Sequence, residues 1–184
     1  MKFSKPIIFS AVLFSMATFC LPIKASAASY SSDQIEIHRY VRDICEDYDN
    51  VDPELIIPLI SKESQYNPEA KNGSCVGLMQ VSTKYNKDRA EKLGVTDFFD
   101  PYENIQIGVD YLSELIDEYE DVYLALMLYN MKWDTAFRLY KSGSISNYAK
   151  TIVSQRDILY EKTNEELYGE EVIFYAEKNT LYTK

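Results

Sequence analysis

Glu63 is the side chain whose setting best suits acid chemistry. It ends the run Asp52-Pro53-Glu54-Leu55-Ile56-Ile57-Pro58-Leu59-Ile60-Ser61-Lys62-Glu63. Asp52 is a favourable helix N-cap there, and Pro53 takes the first helical position, where a missing N–H costs nothing. Helical steps of three, four and seven back from Glu63 land on Ile60, Leu59 and Ile56, so the carboxyl is the last residue on an otherwise apolar face. Desolvation at such a place disfavours the carboxylate and raises its pKa, as a general acid working near neutral pH requires. Taken alone, the same spacing also fits an exposed glutamate in a fraying last turn. Beyond Glu63 comes a polar turn marked by Asn67-Pro68 and Asn72-Gly73, then Gly77-Leu78-Met79-Gln80. A glycine at 77 lets backbone approach a ligand or the Glu63 helix closely.

The elements that must hold this stretch read as helices. Ile37, Val41, Ile44, Cys45 and Tyr48 follow helical spacing over 32–48. Pro58 lies inside the Glu63 helix and is expected to kink or loosen its last turn. Residues 83–93 read as a helix closed by Gly94. At Asp100-Pro101-Tyr102-Glu103 an N-cap, a first-turn proline and an acid three residues on predict a capping box that launches a long helix. Its stripe of Ile105, Gly108, Leu112, Leu115, Ile116 and Tyr119 faces a core, with Gly108 permitting close contact. The next helix starts near Asp121 and carries Val122, Ala125, Leu126 and Tyr129 on one face, which turns Tyr129 inward.

Composition narrows the class. Residues 1–27 combine Lys2 and Lys5, an apolar run from Pro6 to Ile23 and the small-residue pattern Ala25-Ser26-Ala27, the form of a secretory signal peptide. Ser10, Ser15 and Pro22 interrupt a core already short for a membrane anchor. The leader's removal would deepen the formal charge from −10 to about −13. Such a charge argues against a nucleic-acid partner, which demands basic patches. The remaining 28–160 suit one domain around one core, followed by an acidic helix or tail over 161–184 that includes Glu165, Glu166, Glu170 and Glu171. Cys45 and Cys75 stay after leader removal and are read either as a bridge or as two separate thiols. With His38 the only histidine, read as an ordinary helix residue, neither a Ser-His-Asp triad nor a zinc cluster is available. No cofactor is expected.

Four ordered motifs carry a resemblance. Glu63-Ser64-Gln65-Tyr66-Asn67-Pro68-Glu69-Ala70 with Gly77-Leu78-Met79-Gln80, then 100–112, then Ala125-Leu126-Met127-Leu128-Tyr129-Asn130, and finally Ser146-Asn147-Tyr148-Ala149-Lys150-Thr151-Ile152-Val153 resemble the bacterial lytic transglycosylases of the soluble-transglycosylase type. The resemblance spans about residues 52–155. It implies an all-α, lysozyme-like single catalytic domain that cleaves peptidoglycan glycan strands without water. It also implies Glu63 as the catalytic acid, with Ser64, Met79, Gln80, Tyr129, Asn130 and Tyr148 as groove residues that hold sugars or orient it. The family's Ala-Tyr-Asn-Ala-Gly run reads Leu128-Tyr129-Asn130-Met131-Lys132 here, which adds bulk at a turn. A muramidase of the same fold, or a peptidoglycan-binding component of a secretion or conjugation apparatus, remain the alternatives.

Overall fold

The structure is a computed structural model that describes residues 30–162. The expected leader lies outside the described residues, as does all but the first two residues of the expected acidic tail. Seven helices and a small sheet make up the described chain, in the order α1 (Ser32–Cys45), α2 (Pro53–Ser64), β1 (Lys71–Asn72), β2 (Cys75–Val76), β3 (Val81–Ser82), α3 (Lys87–Leu93), α4 (Pro101–Tyr119), α5 (Val122–Asn130), α6 (Trp133–Lys141) and α7 (Asn147–Tyr160). The strands form one antiparallel sheet, β1-β2-β3.

Helix starts are set by side-chain caps that satisfy amides the helix itself leaves unbonded. Ser31 and Gln34 form a reciprocal capping box on α1. Asp52 accepts from the Leu55 amide at 2.8 Å, Asp121 from the Leu124 amide at 2.8 Å, and Ser146 from the Ala149 amide at 3.2 Å. Asp100 caps α4 through the Tyr102 and Glu103 amides. The expected capping box does not close at that end, because Glu103 instead accepts from the Thr96 and Asp97 amides at 2.7 and 2.6 Å and pins the loop before the helix.

The central layer is α2 against α7, with α5 packed on both α4 and α7 and α1 lying across α2 and α4. Leu55, Ile56, Leu59 and Ile60 of α2 are fully enclosed, each worth about 1.5–3 kcal/mol of apolar burial. The helix runs through Pro58 as one element. α5 is buried continuously over 124–128 because neighbouring elements cover several of its faces, not one stripe. The helix expected over 83–93 begins four residues late. Thr83 is drawn to the sheet instead, its amide and hydroxyl both donating to the Ser74 carbonyl at 2.8 and 3.2 Å. α6 was not among the sequence expectations. No helix among the described residues is long and apolar enough to cross a membrane.

Candidate active site

Glu63 sits in the last turn of α2, directly above the enclosed side chains of Ile56, Leu59 and Ile60. Its carboxyl is half-buried. Burial raises its pKa against the opposing pull of the Tyr148 hydroxyl and the Lys62 ammonium. Tyr148 donates to Glu63 Oε1 from the first turn of α7. The phenol is itself held well above its ordinary pKa by burial and by the nearby carboxylate, so it stays a proton donor in the hydrogen bond.

After α2 the chain reverses sharply. Gln65 and Tyr66 both take left-handed backbone, with φ of 53° and 64°, a conformation that side chains other than glycine adopt only under constraint. The constraint on Tyr66 is visible: its hydroxyl meets His38 Nε2 at 2.7 Å and reaches the Ile57 carbonyl at 3.3 Å. His38 is thus a helix residue of α1, as expected, buried at 1% exposure and hydrogen-bonded.

The loop from Gly77 to Gln80 is stitched from three sides. The Asn104 side chain of α4 accepts from the Met79 amide at 2.8 Å and donates to the Val76 and Phe98 carbonyls at 3.0 and 2.8 Å. Gln80 donates through Nε2 to the Ala70 and Gly77 carbonyls, both at 3.0 Å. Tyr129 of α5 donates to the Met79 carbonyl at 2.8 Å. A Cβ on Gly77 would collide with the Asn104 side-chain amide, so the close approach expected of this glycine is to a side chain of α4. Gly108 is likewise filled by Met79, whose Sδ would be 2.5 Å from an added Cβ.

A groove of about 680 Å³ opens beside this loop. Gln80, Tyr129 and Asn130 line it, together with Cys75, Tyr111 and residues on the facing rim. Burial first, and then the charge of nearby Glu63, raises the pKa of both the Cys75 thiol and the Tyr129 phenol. Of the expected site residues, Tyr148 meets the acid directly, and Ser64 follows it with its hydroxyl turned back to the Ile60 carbonyl at 3.2 Å. Met79 is the exception in geometry. Its side chain is fully enclosed, so it presents to the site a carbonyl and not a thioether. Cys45 and Cys75 are separate thiols, one in the core and one in the groove, and burial pushes Cys45 up to about 12.

Sequence reasoning did not single out Asn104 as a partner of this loop, nor the ion cluster in which Arg89 bonds both Asp110 and Glu114. Arg89 and Glu114 also line the groove. Asn104 carried one usable signal, a polar residue within the apolar half of a capped helix; Arg89 and Glu114 carried none. Among the described residues, no group of three His, Cys, Asp or Glu side chains could hold a metal ion.

A helical domain with a half-buried glutamate at the end of a helix, beside a small sheet and an open groove, has the lysozyme-like form. Residues 43–137 match the family model described as the Transglycosylase SLT domain, and the chain belongs to that family. It is 39% identical over 82 residues to a transglycosylase of Enterobacteria phage PRD1, covering 44% of this chain and 29% of the phage protein. It is also 35% identical over 91 residues to membrane-bound lytic murein transglycosylase F of Pseudoalteromonas translucida, covering 45% of this chain and 18% of that protein. The chain therefore spans less than a third of the length of these relatives. An inactive mutant of the lytic transglycosylase Slt from Pseudomonas aeruginosa shares the fold, with a TM-score of 0.50 at 18% identity over 70% of this chain and 21% of that one.

Proposed function

We propose that the protein is a peptidoglycan lytic transglycosylase acting outside the cytoplasm, in the cell-wall or periplasmic space. The bond cut is the β-1,4 link between N-acetylmuramic acid and N-acetylglucosamine, and the product carries a 1,6-anhydromuramyl end. The observation that carries this reading is the Glu63 carboxyl, raised in pKa by burial and hydrogen-bonded by Tyr148, with its charge felt by Cys75 and Tyr129 on the groove wall. Protonated, Glu63 gives its proton to the glycosidic oxygen as the bond from that oxygen to C1 breaks. The carboxylate left behind then accepts the proton of the muramyl C6 hydroxyl as its oxygen bonds to C1. The net change moves one proton between two sugar oxygens, and Glu63 ends as it began. Tyr129 and Gln80 hold the wall of the groove through the Met79, Ala70 and Gly77 carbonyls, and Asn130 is exposed on the groove for a sugar to meet.

One observation favours a second reading. Glu114 places another carboxylate on the groove, and a two-carboxylate muramidase would need such a group. Its carboxylate is already engaged by the Arg89 guanidinium. A part in seating a secretion or conjugation apparatus would be favoured if a Glu63→Gln protein kept its full biological effect.

The test is mass spectrometry of the soluble products released from purified peptidoglycan by the full chain, with Glu63→Gln and Glu114→Gln beside it. Muropeptides one water lighter than the hydrolytic product, lost with Glu63→Gln and kept with Glu114→Gln, are expected. Reducing muramyl ends that depend on both acids would move the assignment to muramidase.

A further inference from the structure

The charges along the groove are unevenly used. Arg89, Glu114 and Lys132 are its charged lining residues. The Arg89 guanidinium bonds both Glu114 and Asp110, and Tyr48 adds a hydrogen bond to Asp110 at 3.3 Å, so Arg89 is fully committed and its cluster keeps one net negative charge. Lys132 is exposed and has no acidic partner among the described residues. Tyr85 also lines the groove and is 77% exposed, far more than an aromatic ring gains by packing. The Lys84 ammonium stands 5.0 Å from the centre of that ring. Among the described residues, Lys132 is thus the one cation lining the groove that no carboxylate engages, and Lys84 adds a second positive charge beside the exposed ring, in a chain of formal charge −10. Such charges steer and orient an anionic ligand that the rest of the surface would repel.

We propose that the part of the groove bearing Lys132 and Tyr85 is a subsite for a carboxylate carried by the muramyl residue. Lys132 is its specificity-determining cation, and the Tyr85 ring is the flat surface on which the adjoining sugar rests. This rests on the glycan-cleaving reading above and narrows it to substrate. Two sources supply the same chemistry: the lactyl carboxylate of strands stripped of peptide, and the carboxylates of an attached stem peptide. Chitin oligosaccharides, built from N-acetylglucosamine alone, carry neither. Lys132 therefore lets the groove tell wall glycan from a neutral polymer of the same backbone.

The experiment is a binding titration of the full chain in a Glu63→Gln background, so that nothing is consumed. The ligands are peptide-free wall strands, peptide-bearing strands and chitin oligosaccharides of equal length. For one exposed charge pair, Lys132→Ala is expected to weaken binding of muramyl strands about threefold to fivefold. Lys132→Glu should weaken it further, with both losses shrinking in high salt and chitin binding unmoved. A loss on peptide-free strands assigns the lactyl carboxylate; a loss confined to peptide-bearing strands assigns the stem peptide. Equal losses on chitin, or no loss on either wall ligand, would overturn the subsite. Failure of the enzymatic reading shows separately: a wild-type chain that cleaves nothing, yet binds wall strands through Lys132, keeps the subsite and loses the transglycosylase.

Discussion

The Tyr148 hydroxyl donates to Glu63 Oε1 across 85 positions of sequence, joining the first turn of α7 to the last turn of α2. This bond favours the ionised carboxyl, while burial favours the protonated one. Tyr148→Phe removes only the first effect, so the Glu63 pKa rises further. In a reaction whose first step needs the protonated acid, the alkaline limb of the pH–rate profile should move to higher pH in the variant. The rate at the optimum should fall about tenfold to a hundredfold, the worth of one hydrogen bond to a charged group. A profile that keeps its shape and merely drops in height would remove Tyr148 from the tuning of Glu63.

Glu63 itself should cost the fold stability as it ionises. Its pKa is raised in the folded protein and ordinary in the unfolded chain, so its contribution is complete below the unfolded carboxylate range. That contribution is lost as pH rises through the folded value. Glutamine cannot ionise and keeps an oxygen for Tyr148 to donate to. Denaturant titrations should therefore find Glu63→Gln more stable than the parent at neutral pH, with the difference closing toward acid pH. A difference independent of pH would contradict the burial argument.

Much of this was legible in local spacing. The Asp52 and Asp100 caps, a helix start near Asp121, the apolar face beneath Glu63 and the close contact at Gly108 follow from short-range rules, because a helix cap or a close backbone approach depends on few neighbours, whereas the partner of Gly77 proved to be Asn104 of α4. The contact between Tyr148 and Glu63 came from motif resemblance alone, since no spacing rule reaches across 85 residues. Other failures have the same cause. Thr83 left its expected helix for a carbonyl nine positions earlier, and Glu103 chose the Thr96 and Asp97 amides over its own cap. Met79 turned its side chain into the space over Gly108, which the sequence of its own loop does not encode.

Gly77 and Gly73 offer an internal comparison. Both take left-handed backbone, with φ of 75° and 62°, but a Cβ at 73 meets nothing within 4 Å while one at 77 collides with the Asn104 amide. Gly73→Ala should cost about 1 kcal/mol from backbone strain alone. Gly77→Ala adds overpacking and the displacement of a buried amide that holds three backbone groups, for a total of about 3–5 kcal/mol. It should also depress glycan cleavage, because the loop it moves carries Gln80 and the Met79 carbonyl. Equal unfolding midpoints for the two variants would refute the role given to Asn104.

His38 supplies the last test. At 1% exposure, its pKa is lowered from 6.5 to about 4, first by burial and then by the charge of Arg42. The folded protein thus holds a neutral imidazole where the unfolded chain holds a protonated one, between about pH 4 and 6.5. The unfolded state binds the extra proton, so stability is complete above 6.5 and is lost as pH falls through that window, by about 3 kcal/mol at most. Glutamine at 38 can still meet the Tyr66 hydroxyl, which sits 2.7 Å from His38 Nε2, but it cannot titrate. His38→Gln should lower stability at pH 7 by about 1–2 kcal/mol through imperfect hydrogen bonding, and should flatten the decline between pH 6.5 and 4. An acid decline of unchanged steepness in the variant would assign it to other groups, leaving His38 a packing residue of α1 and nothing more.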